Sequence, residues 1–305
     1  MKIELKNKQP IECMAISPDG KLLAVGQSDN LGHKLCLSIW DTASGKYVGG
    51  IESGYVVSVS FNRNSDTLAY STNNNTVVIV DLKFLKFKKT IQMPGINKVC
   101  YARSKDLLLI SGDVVVVMDE AYKELFSYFD YKSQPERAAE NQFPSVAVSC
   151  DNDKSVIITG NEERKFFKFD ILSGQQTATF PGGIERGVHM VTDETEQYLF
   201  LISLFPDTDL LWELKTMKRA LTKHLNEKHR GASAVSFHPS SRFFVTGTAA
   251  GHIFLKNIKN ADVVFKEWLH KKRVNALVFS KDGKQLISGD SGGKLLITDI
   301  SEYIK

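Results

Sequence analysis

Apolar and polar residues alternate with a period of two along most of the chain. Ala15-Ile16-Ser17-Pro18-Asp19-Gly20-Lys21-Leu22-Leu23-Ala24-Val25-Gly26 is one example, and Val278-Phe279-Ser280-Lys281-Asp282-Gly283-Lys284-Gln285-Leu286-Ile287-Ser288-Gly289 a second. A third is Ser236-Phe237-His238-Pro239-Ser240-Ser241-Arg242-Phe243-Phe244-Val245-Thr246-Gly247. Each predicts a strand, a tight polar turn and a second apolar strand ending in Gly, the pattern of a hairpin. From Val274, residues Asn275, Leu277 and Phe279 fall on one strand face, and Val146, Val148 and Cys150 form the matching set. Only Pro135-Glu136-Arg137-Ala138-Ala139-Glu140 suggests a helix.

The hairpins recur. The last residue of the first strand is Ile16, Phe61, Tyr101, Cys150, Val191, Phe237 and Phe279, at intervals of 45, 40, 49, 41, 46 and 42 residues. After each comes an apolar strand closed by an acid or amide: Trp40-Asp41, Val80-Asp81, Met118-Asp119, Phe169-Asp170, Trp212-Glu213, Lys256-Asn257 and Thr298-Asp299. Polar turns follow, such as Ser44-Gly45-Lys46 and Ser173-Gly174-Gln175, and then a fourth strand. Four short strands in a unit of about 40–45 residues is the period of a propeller blade. The chain resembles the WD40 repeat family in a diverged form. That resemblance implies an all-β fold, a seven-bladed β-propeller.

The physics of the repeat points the same way. Each unit exposes apolar residues on both faces of a small sheet, so units must stack to bury them. The blades are expected at about 11–53, 54–94, 95–130, 143–183, 184–226, 231–270 and 271–305, the last completed by 1–7, in one domain spanning 1–305. The last unit has three strands before the chain ends, and Ile3 and Leu5 alternate within a spare segment, Lys2 to Lys6. Pairing that segment into the last blade closes the ring and removes an exposed sheet edge.

Blades of the resembled family carry a buried Asp-His-Ser-Trp network. Here only His270 falls nine residues before its strand end, Phe279. Ser288 matches the serine position, but Thr298 stands at the Trp position and Gly292 at the loop Asp position. A half-satisfied buried network is worse than an apolar one, so apolar packing is expected there. Trp40 and Trp212 read as core residues.

Composition narrows the classes. The 305 residues are 42 % hydrophobic and 24 % charged, which excludes a disordered chain, a collagen or a coiled coil. A net charge of +4 is too small to imply nucleic acid as partner. No apolar run reaches the roughly 18 residues of a membrane span. The N-terminus lacks the apolar core of a secretory signal. Cys13, Cys36, Cys100 and Cys150 are scattered, with no Cys-x-x-Cys pair. Reduced structural thiols in a cytoplasmic protein are expected.

Catalytic, metal-ligating and cofactor-binding residues are not expected. The seven histidines show no His-x-His or His-x-x-x-His spacing. His189 reads as packed, and His238 as a turn residue replacing Ser17 or Asn62 of sister repeats. Gly289-Asp290-Ser291-Gly292-Gly293-Lys294 joins two strands, whereas a phosphate loop opens a helix. Asp41, Asp81, Asp119, Asp170 and Asp299 occupy one place in each repeat, as turn-capping residues do.

Surface chemistry remains. Three consecutive blades begin with basic residues: Arg186, then Lys228, His229 and Arg230, then His270, Lys271, Lys272 and Arg273. The fold brings these onto one rim, diluted by Glu185, Glu227 and other acids. Lys228-His229-Arg230-Gly231 shares only its last two residues with the Phe-Arg-Arg-Gly motif of phosphoinositide-binding propellers. Lys83, Lys86, Lys88 and Lys89, interleaved with Phe84 and Phe87, belong on the opposite face or an outer strand. Asp130–Gln142 and Gln27–Lys34 are insertions on the basic side, where binding specificity sits. The sequence thus predicts a non-catalytic scaffold, a monomer or part of a larger complex, that binds a protein or acidic peptide through this rim. The alternatives are a binder of anionic polymer or lipid headgroups on the same rim, and, disfavoured, a propeller enzyme.

Overall fold

Every residue named above as a strand end lies at or next to one in the computed structural model. The structure describes residues 5, 8–28, 35–93, 95–96, 98–128, 146–150, 152–159, 165–182, 187–203, 210–221 and 232–305. The first sheet contains β1 (Ile11–Ile16), β2 (Leu22–Gln27), β3 (Leu35–Asp41) and β4 (Tyr47–Glu52). The second contains β5 (Val56–Phe61), β6 (Thr67–Thr72), β7 (Thr76–Asp81) and β8 (Lys86–Gln92). The third contains β9 (Lys98–Tyr101), β10 (Leu108–Ser111), β11 (Val115–Met118) and β12 (Glu124–Tyr128). The fourth contains β13 (Val146–Cys150), β14 (Ser155–Thr159), β15 (Lys165–Asp170) and β16 (Gln176–Pro181). The fifth contains β17 (Gly187–Thr192), β18 (Tyr198–Ser203), β19 (Leu210–Glu213) and β20 (Lys218–Arg219). The sixth contains β21 (Ala232–Phe237), β22 (Phe243–Thr248), β23 (His252–Asn257) and β24 (Val263–Trp268), and the last β25 (Val274–Phe279), β26 (Gln285–Asp290) and β27 (Leu295–Asp299).

Strands in each sheet pair in chain order, and the last sheet has three strands among the described residues. The architecture is all-β, a seven-bladed propeller. The expected fourth strand of the last sheet lies outside the described residues except for Leu5, which packs on the cluster of Ile11, Trp40 and Leu295. The segments 130–142 and 29–34, and the suggested helix at 135–140, also lie outside them.

The strands gather into two compact units, Met1–Val56 with Val191–Lys305, and Val57–Met190. In the first unit, one cluster joins Val245 and Leu255 of the sixth sheet to Leu277 and Leu286 of the last. Another joins Ala276 and Ile287 of the last sheet to Met14 and Leu23 of the first. In the second unit, Ala69 and Ile79 pack on Leu108 and Ile110, and Leu109 and Val117 on Ala147 and Ile158. The core therefore lies between successive sheets, as two-faced blades require. Burial declines outward: β6 is buried throughout, whereas β8 is exposed at six of its seven residues.

The glycine ending the second strand has a steric reason. A Cβ on Gly26, Gly247 or Gly289 would lie 2.7, 2.5 or 2.7 Å from a methyl carbon of Val56, Val274 or Ile11. Each of those residues opens the first strand of the following sheet and is fully buried. Gly289 against Ile11 thus joins the last sheet to the first. Nearby, the Asn275 amide donates to the Ile11 carbonyl at 3.0 Å.

The turn aspartates act as the repeat predicts. Asp41 accepts from the Ser44 N–H, Asp81 from Lys83, Asp119 from Ala121 and Lys123, Asp170 from Ser173, and Asp299 from Ser301. His238 holds the same turn as Ser17 and Asn62 by a different bond: its Nδ1 accepts from the Ser240 N–H two residues on, while Ser17 Oγ and Asn62 Oδ1 accept from Leu22 and Thr67 five residues on. Trp40 and Trp212 are core residues.

Candidate functional site

His270 corrects one expectation. Its ring is 1 % exposed, with Nδ1 2.8 Å from Asp290 Oδ2 and Nε2 2.8 Å from Ser288 Oγ. A polar network survives where apolar packing was expected. The carboxylate comes from Asp290 at the end of β26, two residues before Gly292. The geometry is satisfied with a neutral imidazole: Nδ1–H donates to Asp290 and Nε2 accepts from the Ser288 hydroxyl. Burial holds the His270 pKa below the ordinary histidine value, and the Asp290 hydrogen bond opposes that shift without cancelling it.

Asp290 does more than orient a histidine. Its Oδ1 accepts from the Gly292 and Lys294 N–H groups at 2.8 and 2.9 Å. One buried carboxylate therefore fixes both the 291–294 turn and the 269–273 connection. Further bonds tie the two loops together: the Ser291 N–H donates to the Arg273 carbonyl, and Lys294 Nζ to the Leu269 carbonyl. The neighbouring turn of the sixth sheet closes on the same place, with the His270 N–H donating to the Gly251 carbonyl. Gly251 is confined to glycine: its φ is +87°, and a Cβ would fall 1.9 Å from the His270 carbonyl oxygen. Gly289–Lys294 is a turn between β26 and β27, as predicted.

Cations stand on this frame. Lys271, Lys272, Arg273 and Lys294 are exposed, as is Lys8, whose carbonyl carbon lies against Gly293. Among the described residues none of the five forms an ion pair. The carboxylate beneath them, Asp290, is 2 % exposed and engaged with His270 and backbone N–H groups. The corner is a rigid, positively charged surface suited to carboxylates or phosphates.

Of the eight residues expected to form the rim, Lys271, Lys272 and Arg273 are together here. Arg186, Lys228, His229 and Arg230 lie outside the described residues. His270 is beneath the surface and supports the corner rather than presenting its side chain. Sequence reasoning missed Lys8, Lys294 and Asp290. The first two are distant from Lys271 in the chain. Asp290 was legible as the residue after the strand-ending Ser288-Gly289. The Lys83–Lys89 group lies on the turn before β8 and on that outer strand, with Phe84 and Phe87 exposed beside it.

Comparison with known proteins agrees with this architecture. The family described as WD domain, G-beta repeat, matches residues 3–41 and 266–299. WD repeat-containing protein SL1-17 of Schistosoma mansoni is 28 % identical over 148 residues, which is 48 % of this chain and 48 % of that protein. The match thus spans about half the length of that relative. Among solved structures, the β-propeller domain of Cps50 (Swd1) of Myceliophteria thermophila superposes with a TM-score of 0.78 at 12 % identity, covering 98 % of this chain and 100 % of that one. At that identity the likeness speaks for the fold alone.

Proposed function

We propose that this seven-bladed propeller, two segments of which match the WD domain, G-beta repeat, is a non-catalytic scaffold. It holds an acidic segment of a partner protein on the corner of Lys8, Lys271, Lys272, Arg273 and Lys294. The observation that carries this reading is that, among the described residues, none of these five exposed cations forms an ion pair, four of them standing on loops tied together around the buried Asp290 carboxylate. Crowded like charges repel, and an acidic partner relieves that repulsion. The rigid loops lower the ordering cost of binding. Arg273 can pair with a carboxylate in two places, whereas the lysines contribute mainly attraction at a distance. Arg186, Lys228, His229 and Arg230 extend the same surface in this proposal. No described cysteine forms a disulfide, which supports a reducing compartment such as the cytoplasm.

Salt dependence separates this from an anionic polymer or lipid ligand. A partner recovered with the full chain is titrated at rising ionic strength, beside heparin and vesicles containing phosphoinositide. Protein binding that weakens modestly with salt, with no binding to heparin or vesicles, supports the scaffold reading. A steep decline together with tight heparin or vesicle binding overturns it in favour of phosphate recognition.

A further inference from the structure

Two polar residues stand where the repeat asks for small or apolar ones. Three residues before the end of each first strand, the sister positions are Cys13, Ser58, Ala147, Val188, Ala234 and Ala276, but the third sheet has Lys98. Two residues before the end, they are Met14, Val59, Val99, Val148, Val235 and Leu277, but the fifth sheet has His189. The fold does not need either substitution, and in the second unit the two meet. The Lys98 ammonium donates to the Met190 carbonyl, next to His189 in β17. Its charge acts on the His189 ring.

We propose that Lys98 and His189 form a binding site for a compact carboxylate on the inner strands β9 and β17. The ammonium carries three donors, and among the described residues one is used, on a neutral carbonyl. Among the described residues no carboxylate lies within 4.0 Å of it, and the titratable group facing it from its own strand is the Cys100 thiol. A shielded cation without a counter-charge is costly, and a bound anion relieves that cost. Burial first, and Lys98 second, hold the His189 pKa down to about 3, so the ring is neutral at pH 7 and can donate one N–H to the same ligand. Both side chains are half-buried, leaving a route for a small group. The carboxylate can come from a free small acid or from a Glu or Asp side chain of a bound polypeptide. The site is independent of the basic corner.

The test uses the full chain at pH 7 and fixed ionic strength. Melting is followed in acetate, citrate and chloride, and binding of the tripeptide N-acetyl-Gly-Glu-Gly-amide is compared with its Gln counterpart. Acetate or citrate should raise Tm above chloride, and Lys98→Met should abolish the difference. His189→Gln, which retains the ammonium, should weaken the response by about tenfold or less. It also provides a reading if Lys98→Met folds poorly. The His189 ring resonances should shift on ligand addition. A response to free acids alone assigns the site to small carboxylates, and a Lys98-dependent preference for the Glu tripeptide assigns it to acidic side chains. The proposal fails if neither probe acts, or if Lys98→Met and His189→Gln respond as the native chain does.

Discussion

His270 shows how much one side chain can organise. It is joined to Asp290 and Ser288 below the basic loops, so its removal takes the His270 partner from Asp290 Oδ2 and from the Ser288 hydroxyl, while Asp290 Oδ1 keeps its two backbone N–H donors. Leaving one oxygen of a buried carboxylate unsatisfied costs more than the bond itself. His270→Ala should therefore lower stability by about 3 kcal/mol in urea denaturation, whereas exposed Lys271→Ala should change it by less than about 0.5 kcal/mol. A His270→Ala loss near 1 kcal/mol would mean the network contributes as one ordinary bond. Three histidines, His238 and His270 buried and His189 half-buried, also set an acid response. Burial is the first cause of the lowered pKa of His189, His238 and His270. Above the unfolded value of about 6.5 both states are neutral and stability is flat. Below it the unfolded chain takes up protons that the folded chain refuses, so stability falls, for His189 down to about 3. Denaturation midpoints measured between pH 7 and pH 5 should decline, and His189→Gln should flatten the slope. A midpoint constant over that range contradicts this. The histidine of the network was legible by its spacing; its acid was within reach of the same pattern but is not at the loop position of the resembled family, because Asp290 ends the strand β26.

Strands, turns and their order were legible because repetition averages out local ambiguity. Seven copies of one hairpin pattern locate strand ends that a single copy would leave open, and Asp at the same place in five repeats identifies a cap rather than a catalytic acid. The reason for the strand-ending glycine was not legible, since it depends on the next sheet. Gly289 makes room for Ile11, so Gly289→Ala should overpack the junction of last and first sheets and cost about 1–3 kcal/mol. Thermal melting measures this, and an unchanged Tm would mean the junction is loose. The three-stranded last sheet gives a second prediction at this scale. Removing residues 1–7, expected to supply its fourth strand, should lower Tm and promote association through the freed edge. A monomeric truncated chain with native Tm overturns that assignment of the segment.

For the whole molecule, fold class followed from the period, and function had to be sought on the surface. Lys8 and Lys294 joined Lys271, Lys272 and Arg273 only through folding, because proximity across a repeat is invisible to spacing along one strand. Charge alone does not distinguish this corner, since Lys83, Lys86, Lys88 and Lys89 form a comparable run on the β7–β8 hairpin. The difference is the frame: one run edges an outer strand, and the other stands on loops fixed by Asp290. The most direct measurement compares two charge-matched variants of the full chain. Lys271→Glu/Lys272→Glu/Arg273→Glu reverses the corner, and Lys83→Glu/Lys86→Glu/Lys89→Glu reverses the outer edge. The affinity of each for the recovered partner is measured at low and high salt. The corner variant should lose binding while keeping the native melting temperature, and the outer-edge variant should bind as the native chain does. Equal binding by both variants, with no effect of salt, contradicts the assignment of the corner as the partner surface.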